Sequence, residues 1–373
     1  MRTEPRRVLM TVDAVGGVWT YALDLADALG AVGVDVLLAC LGPRPSAEQA
    51  ADAARLPRVE LACCECRLEW MDDPWDDVQR SGEWLLALEH RFAPDLVHLN
   101  GYAHAALPFE ARVLVAGHSC VCSWARAIPG AIDPVTLSAY AAHVGRGLHA
   151  ADMVVAPSRA MLDALEHHYG PLVNATVVHN GRRRELFSAD RKEPFIFSAG
   201  RLWDQAKNVA ALTDVAARLP WPTAVAGSDA LDPDGERRPL PGVRSLGRLD
   251  ERTMAGWLAR ASILALPARY EPFGLLPLEA ALSGCALVLG DIPSLREVWG
   301  DTAEFVPPCD RDALAATLMR LIASPRRLTA RAEAARDRAV RYTTTAMRDG
   351  YLAAYARAAA RHHATPEDIP CAS

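Results

Sequence analysis

The chain of 373 residues has no excess of positive charge and few aromatic residues, at 6%. None of its apolar runs approaches the roughly 18–20 residues that span a bilayer, so no integral membrane segment is expected. A net charge of −6 speaks against a nucleic-acid partner, whose phosphates call for a basic face. Met1 to Arg7 is charged, but Val8 to Val12 is too short for the apolar core of a secretory signal, and no small-residue cleavage site follows it. The expected location is the cytoplasm. Nine cysteines, an odd number, are expected as reduced thiols there. Cys63 and Cys66 have C-x-x-C spacing, yet no second such pair or histidine pair completes a zinc site. Asp232-Pro233-Asp234 lies in a turn rich in Pro, Gly and charge, not at the end of an apolar strand, and Asp76-Asp77 is an acidic pair. No metal site is expected.

What is present is α/β patterning on a two-domain scale. The length exceeds the roughly 100–200 residues of one ordinary domain, and an apolar content of 51% supports large cores. Arg7 to Val12 reads as a strand, Thr20 to Leu29 as a helix and Val34 to Cys40 as a second strand. The turn between the first two carries Gly16-Gly17. This is not the G-x-G-x-x-G of a dinucleotide site. The glycines serve either turn geometry alone or close approach of a phosphate or sugar to a helix N-terminus. Further strands end in Asn100-Gly101-Tyr102, Gly117-His118-Ser119, Pro157-Ser158-Arg159 and Asn180-Gly181. Polar residues thus gather past the carboxyl ends of the strands, the edge where open parallel sheets bind ligands. His118 is the foremost site candidate among them. Glu65 to Asp77 holds six acids, one base and two tryptophans. It reads as a solvated loop, or as a lid in which Trp70 and Trp75 stack on an acceptor that is cationic or rich in hydroxyls.

Arg182 to Pro194 looks like the interdomain connection. A second α/β pattern begins at Phe195 to Ala199. Arg201 and Lys207, between that strand and the helix from Val209, are either two surface cations or a seat for a diphosphate. A strand is expected within Val243 to Leu249, and helices over Glu251 to Ala261, Asp310 to Ala323, Leu328 to Ala339 and Thr344 to His362, with a frayed tail from Thr365. The most informative stretch is Arg269-Tyr270-Glu271-Pro272-Phe273-Gly274-Leu275-Leu276-Pro277-Leu278-Glu279. A buried strand, Ser262 to Leu266, precedes it, and a helix from Pro277 to Leu282 follows. Pro272 holds Glu271 extended, Gly274 permits close approach, and the helix start offers free N–H groups. A buried turn with two solvated glutamates is the plainer reading. Two acceptors flanking a row of donors also suit a nucleotide-sugar.

With these residues together, the chain resembles the retaining glycosyltransferases of family four, which have the GT-B fold: two Rossmann-like α/β domains facing across a cleft. The marks are Gly16-Gly17-Val18-Trp19, His118, Ala156-Pro157-Ser158, Asn180-Gly181, Gly200-Arg201-Leu202 with Lys207-Asn208, and Glu271-Pro272-Phe273-Gly274 with Glu279. The resemblance implies an acceptor-side domain over 1–185, a nucleotide-sugar domain over 186–343, and a terminal helix in 344–373 packing back on the first. It implies a catalytic set of His118, Glu271, Arg201 and Lys207. Donor contacts would come from Gly16, Gly17, Arg201, Lys207, Phe273, Gly274, Leu275, Leu276 and Glu279, with Glu279 on the ribose hydroxyls. Trp70, Trp75, Asn100 and Ser119 form the acceptor-side set. It further implies retained anomeric configuration, no metal or cofactor, and deprotonation of the acceptor by the leaving phosphate. The partners are then a nucleotide-sugar donor and a small-molecule, saccharide or lipid acceptor, bound by a monomer or homodimer. A phosphorylase, an epimerase or a non-catalytic binder on the same fold is the alternative. Two features depart from the family pattern. Arg182, Arg183 and Arg184 follow Gly181, where an acid is usual, and Asp291-Ile292-Pro293-Ser294 replaces a Gly-rich sugar loop. The sequence does not choose among UDP, GDP and ADP.

Overall fold

The computed structural model describes residues 5–228 and 240–360. The Asp232-Pro233-Asp234 motif and the tail from Thr365 lie outside the described residues. The first sheet has seven strands: β1 (Arg7–Asp13), β2 (Asp35–Leu41), β3 (Val59–Cys64), β4 (Leu96–Leu99), β5 (Arg112–Ala116), β6 (Met153–Ala156) and β7 (Ala175–Val177). The second has six: β8 (Glu193–Ala199), β9 (Thr223–Ala226), β10 (Arg244–Ser245), β11 (Ala261–Leu266), β12 (Ala286–Gly290) and β13 (Glu304–Val306). Every strand pair is parallel. Helices cover both faces of such sheets, which is why the central strands read as continuous apolar runs and not as alternations.

The strand orders are β3-β2-β1-β4-β5-β6-β7 and β10-β9-β8-β11-β12-β13. In each sheet the order reverses beside its first strand, giving a switch point between β1 and β4 and another between β8 and β11. Ligands settle in the crevice outside the carboxyl ends of the strands at such points. Those ends carry Asp13 to Gly17 and Asn100 in one sheet, and Gly200 to Asn208 and Pro267 to Gly274 in the other.

The C-terminal helix Thr344–Ala360 places Met347, Tyr351, Ala354, Tyr355 and Ala358 in one core with the helix Gly17–Gly30 and strands of the first sheet. Tyr355 is hydrogen-bonded at 2.8 Å to Nδ1 of His98, a buried histidine of β4. The ordered helices Trp75–Phe92, Pro134–Ala150 and Pro293–Trp299 were not expected from the sequence. The strand expected within Val243 to Leu249 shortens to β10 at the sheet edge, where both residues are exposed.

Candidate active site

Loop geometry brings the second domain's charged residues together. Asn208 adopts φ 55°, and its side-chain amide donates to the carbonyls of Pro267 at 2.8 Å and Pro308 at 2.7 Å. Arg269 N–H donates to Ala206 O at 2.8 Å. The loop after β8 is thereby bound to the loop after β11, and Lys207 Nζ reaches Glu271 Oε2 at 2.6 Å, both side chains being mostly buried (18% and 13% exposed). Ser294 Oγ donates to Glu271 O at 2.5 Å, and Ser158 Oγ, from the other domain, to Pro272 O at 2.6 Å. The residues that stand in place of a Gly-rich loop therefore hold the glutamate's backbone.

Gly274 has φ +92°, a conformation that favours glycine, and starts the helix Leu275–Leu282. This is two residues earlier than the expected start at Pro277. Proline is tolerated in a first turn, where its missing N–H has no intrahelical partner to lose. The helix start faces the opposite domain: a Cβ placed on Gly17 would stand 3.4 Å from Leu275 Cδ1. One placed on Gly16 would stand 3.7 Å from Arg201 Nη1. Arg201 Nη2 pairs with Asp204 Oδ2 at 2.8 Å, and Trp124 Nε1 donates across the cleft to Asp204 Oδ1 at 2.9 Å. Burial alone would raise the Asp204 carboxyl, but Arg201, Trp124 and Lys207 outweigh it and hold the group below its usual range. The domains also meet where Tyr270 Oη accepts from Cys120 N–H at 3.0 Å.

His118 follows β5 and lies against Tyr21, edge to face at 4.2 Å. Its Nε2 is 2.8 Å from Asn100 Oδ1, while Asn100 Nδ2 donates to Thr11 O at 2.6 Å. The Thr11 carbonyl fixes which end of the amide is oxygen. Nε2 must then carry the proton, which leaves Nδ1 as an acceptor. Burial pushes the imidazole down to about 4, so it is neutral at pH 7.

Asp13, at the end of β1, holds Val15 N–H at 2.9 Å. Burial raises its carboxyl, partly offset by Val15 and by Arg201 across the cleft. Asp13, Trp124, Asp204 and Tyr270 lie at the candidate site without having been expected there. A carboxylate ending the first strand was the one available signal. The other three are defined by contacts between domains.

Glu279 lies within the helix Leu275–Leu282, with Arg182 Nε 2.8 Å from Oε1. Phe273 is buried in the second domain's core, so its side chain does not line the cleft and only its backbone remains available there. The acidic segment is the expected solvated loop only in part, with Glu65, Asp72, Asp73 and Asp76 exposed. Glu69 accepts from the N–H groups of Tyr102 and Ala103, Asp77 accepts from Arg67 N–H, and Trp75 starts a helix. The Trp75 ring stacks on His143 at 3.7 Å, so one face is occupied, and Trp70 packs against the first domain's core. Asn100 is committed to Thr11 and His118, and Ser119 is exposed with its carbonyl held by Tyr102 Oη at 2.6 Å. No cluster of three or more metal-ligating side chains occurs among the described residues, and no described helix is long and apolar enough to cross a membrane.

Residues 15–185 match Glycosyltransferase Family 4 and residues 193–324 match Glycosyl transferases group 1. A glycogen synthase of Mycobacterium tuberculosis is 28% identical over 374 aligned positions, covering 87% of this chain and 86% of that protein. In fold, the chain is similar to sucrose-phosphate synthase from Thermosynechococcus elongatus, with a TM-score of 0.79 at 19% identity over 95% of this chain and 100% of that one. It is also similar to HepE of Anabaena, solved in complex with UDP-glucose, with a TM-score of 0.73 at 16% identity over 93% and 98% of the two chains. The two sheets with their facing switch points are the GT-B fold, and the chain belongs to the family 4 and group 1 glycosyltransferases.

Proposed function

We propose that this enzyme moves a sugar from a nucleoside-diphosphate sugar to an acceptor hydroxyl with retention of anomeric configuration and without a metal ion. The observation that carries the reading is that the Gly16-Gly17 turn of one switch point stands over Arg201 and Leu275 of the other, beside the Lys207–Glu271 pair of the same loops. In it, residues 1–185 hold the acceptor and 186–343 the donor. Arg201 and Lys207 take the diphosphate, with Gly16 and Gly17 letting it approach the helix Gly17–Gly30. The Leu275 and Leu276 N–H groups, with Phe273 and Gly274 backbone, face the donor, and Glu271 positions its sugar. Glu279 accepts from the ribose, and His118 Nδ1 accepts from a sugar hydroxyl. Trp70, Trp75, Asn100 and Ser119 are the acceptor-side candidates, Trp75 by its second face.

As the bond from C1 to phosphate oxygen breaks, negative charge collects on the departing diphosphate. Cations and helix N–H groups fixed beforehand stabilise that charge most in the transition state. The acceptor oxygen forms its bond to C1 on the same face, and its proton passes to a leaving phosphate oxygen. Glu271 is a positioning group in this scheme, and no protein nucleophile is required.

The test is product analysis with UDP-, GDP- and ADP-sugars, with and without saccharide, lipid and small-molecule acceptors, in EDTA. Transfer with retention in EDTA supports the reading. Product formed only with inorganic phosphate assigns a phosphorylase, isomerised donor an epimerase, and binding without turnover a non-catalytic role.

A further inference from the structure

Arg182 is a fully buried arginine at the crossing between the domains, its side chain 1% exposed. Its guanidinium meets three carboxylates on three helices. Nη1 pairs with Asp24 of the helix Gly17–Gly30, itself 1% exposed. Nη2 pairs with Glu251 at 2.7 Å, at the start of the helix Glu251–Arg260. Nε lies 2.8 Å from Glu279 Oε1. Arg183 adds a second cation, with Nε 2.9 Å from Asp24 Oδ1.

The charge balance singles out Glu279. Its side chain is 13% exposed, whereas Glu251 is 44% exposed and solvated, and Asp24 has Arg183 as well. Burial pushes the Glu279 carboxyl up, Arg182 pulls it down, and Glu251 and Asp24 push it up again. Arg182 is thus the cation beside a carboxylate whose other neighbours favour its protonated form. A neutral acid would offer a ribose a poorer acceptor than a carboxylate does. One guanidinium reaches three carboxylates at once, which a lysine's point charge cannot do.

We propose that Arg182 is a positioning residue for the nucleotide: its cation beside Glu279 holds that carboxylate toward the ribose hydroxyls and ties it to Asp24 on the phosphate-facing helix of the other domain. This rests on the reading of Glu279 as the ribose acceptor.

The readout is the preference for a ribose over a ribose lacking its hydroxyls, which a merely structural arginine would not set. The probes are UDP, GDP and ADP, each with its 2′,3′-dideoxy counterpart, titrated calorimetrically against the full chain. The tightest-binding base is carried forward. Wild type should prefer the ribonucleotide by about tenfold, in the range of one charge-assisted hydrogen bond. Glu279→Gln should lower that ratio to near one, as should Arg182→Met. Arg182→Lys, which keeps a cation and guards against a misfolded methionine variant, should fall between. Arg183→Met should keep the wild-type ratio. If Glu279→Gln retains the preference, the ribose reading fails and the proposal falls with it. If Glu279→Gln loses the preference while folded Arg182→Met or Arg182→Lys keeps it in full, the proposal alone is overturned.

Discussion

Lys207 Nζ and Glu271 Oε2 stand 2.6 Å apart in the cleft, one from the loop after β8 and the other from the loop after β11. A diphosphate beside the lysine and a sugar beside the glutamate would meet at the bond that breaks. In the proposed site the pair would span the reacting centre, and its two halves should then not act independently.

Lys207→Met should lower kcat/KM for the donor by about 10²- to 10³-fold, the scale for loss of one group that stabilises developing charge. Glu271→Gln should act mainly on kcat. In a double-mutant cycle, the combined variant should lose less than the product of the single losses, because each single change already disrupts the pair. Steady-state release of the nucleoside diphosphate measures all three. Strict multiplicativity would show that the residues work separately.

Trp124→Phe removes the indole N–H from Asp204 Oδ1. Asp204 keeps Arg201 and the Ala206 N–H, so the fold should lose only about 1 kcal/mol. Arg201 should be less firmly aimed, and donor KM should rise severalfold. Thermal melting and initial rates separate the two effects. A large drop in Tm with unchanged KM would make the bond purely structural.

Gly17→Val would place methyl groups between the helix start and Leu275, where even a Cβ reaches 3.4 Å. The diphosphate would lose its approach to the backbone, and closure would be obstructed. Donor KM should rise by at least about tenfold, the effect of some 1.4 kcal/mol, while the melting temperature changes little. Donor affinity from calorimetry decides the matter.

The buried His98 and the half-buried His118 give the stability a defined pH dependence. Burial, then His118, push His98 down to about 3, and burial pushes His118 to about 4, against an ordinary value of 6.5. The unfolded chain therefore binds more protons than the folded one below pH 6.5. The stabilisation is complete above 6.5, declines as pH falls through the window from 6.5 to about 4, and is exhausted near pH 3. Urea midpoints should fall across this window, and His98→Gln should flatten the slope. An unchanged slope in that variant would assign the acid sensitivity to other groups.

The stretch from Ser262 to Glu279 was legible because apolar run, proline, glycine and helix start follow one another locally. So were the strand ends carrying Asn100 and His118, since a buried parallel strand announces itself and its end follows; the strand before Asn180 is only half-buried and ends earlier, at Val177. The helices Trp75–Phe92 and Pro134–Ala150 were not legible: each mixes charge, glycine and apolar residues on a surface whose inner face only the fold defines. Three partners of Arg182 lie far away in sequence, so a run of three arginines read only as a departure from pattern. The stacking of His143 on one face of Trp75 was not legible because the two are distant in the chain.

The chain crosses between its sheets twice, and the crossings run side by side. Arg182 and Thr343 form a parallel β-bridge, and a Cβ on Gly181 would lie 2.1 Å from Thr343 O, so a glycine is needed for the strands to touch there. A single connecting strand would leave one domain free to swivel on the other. A bridge between two crossings resists torsion more than one crossing does, so the contacts of the Gly16-Gly17 turn with Arg201 and Leu275 rest on a doubly tied connection.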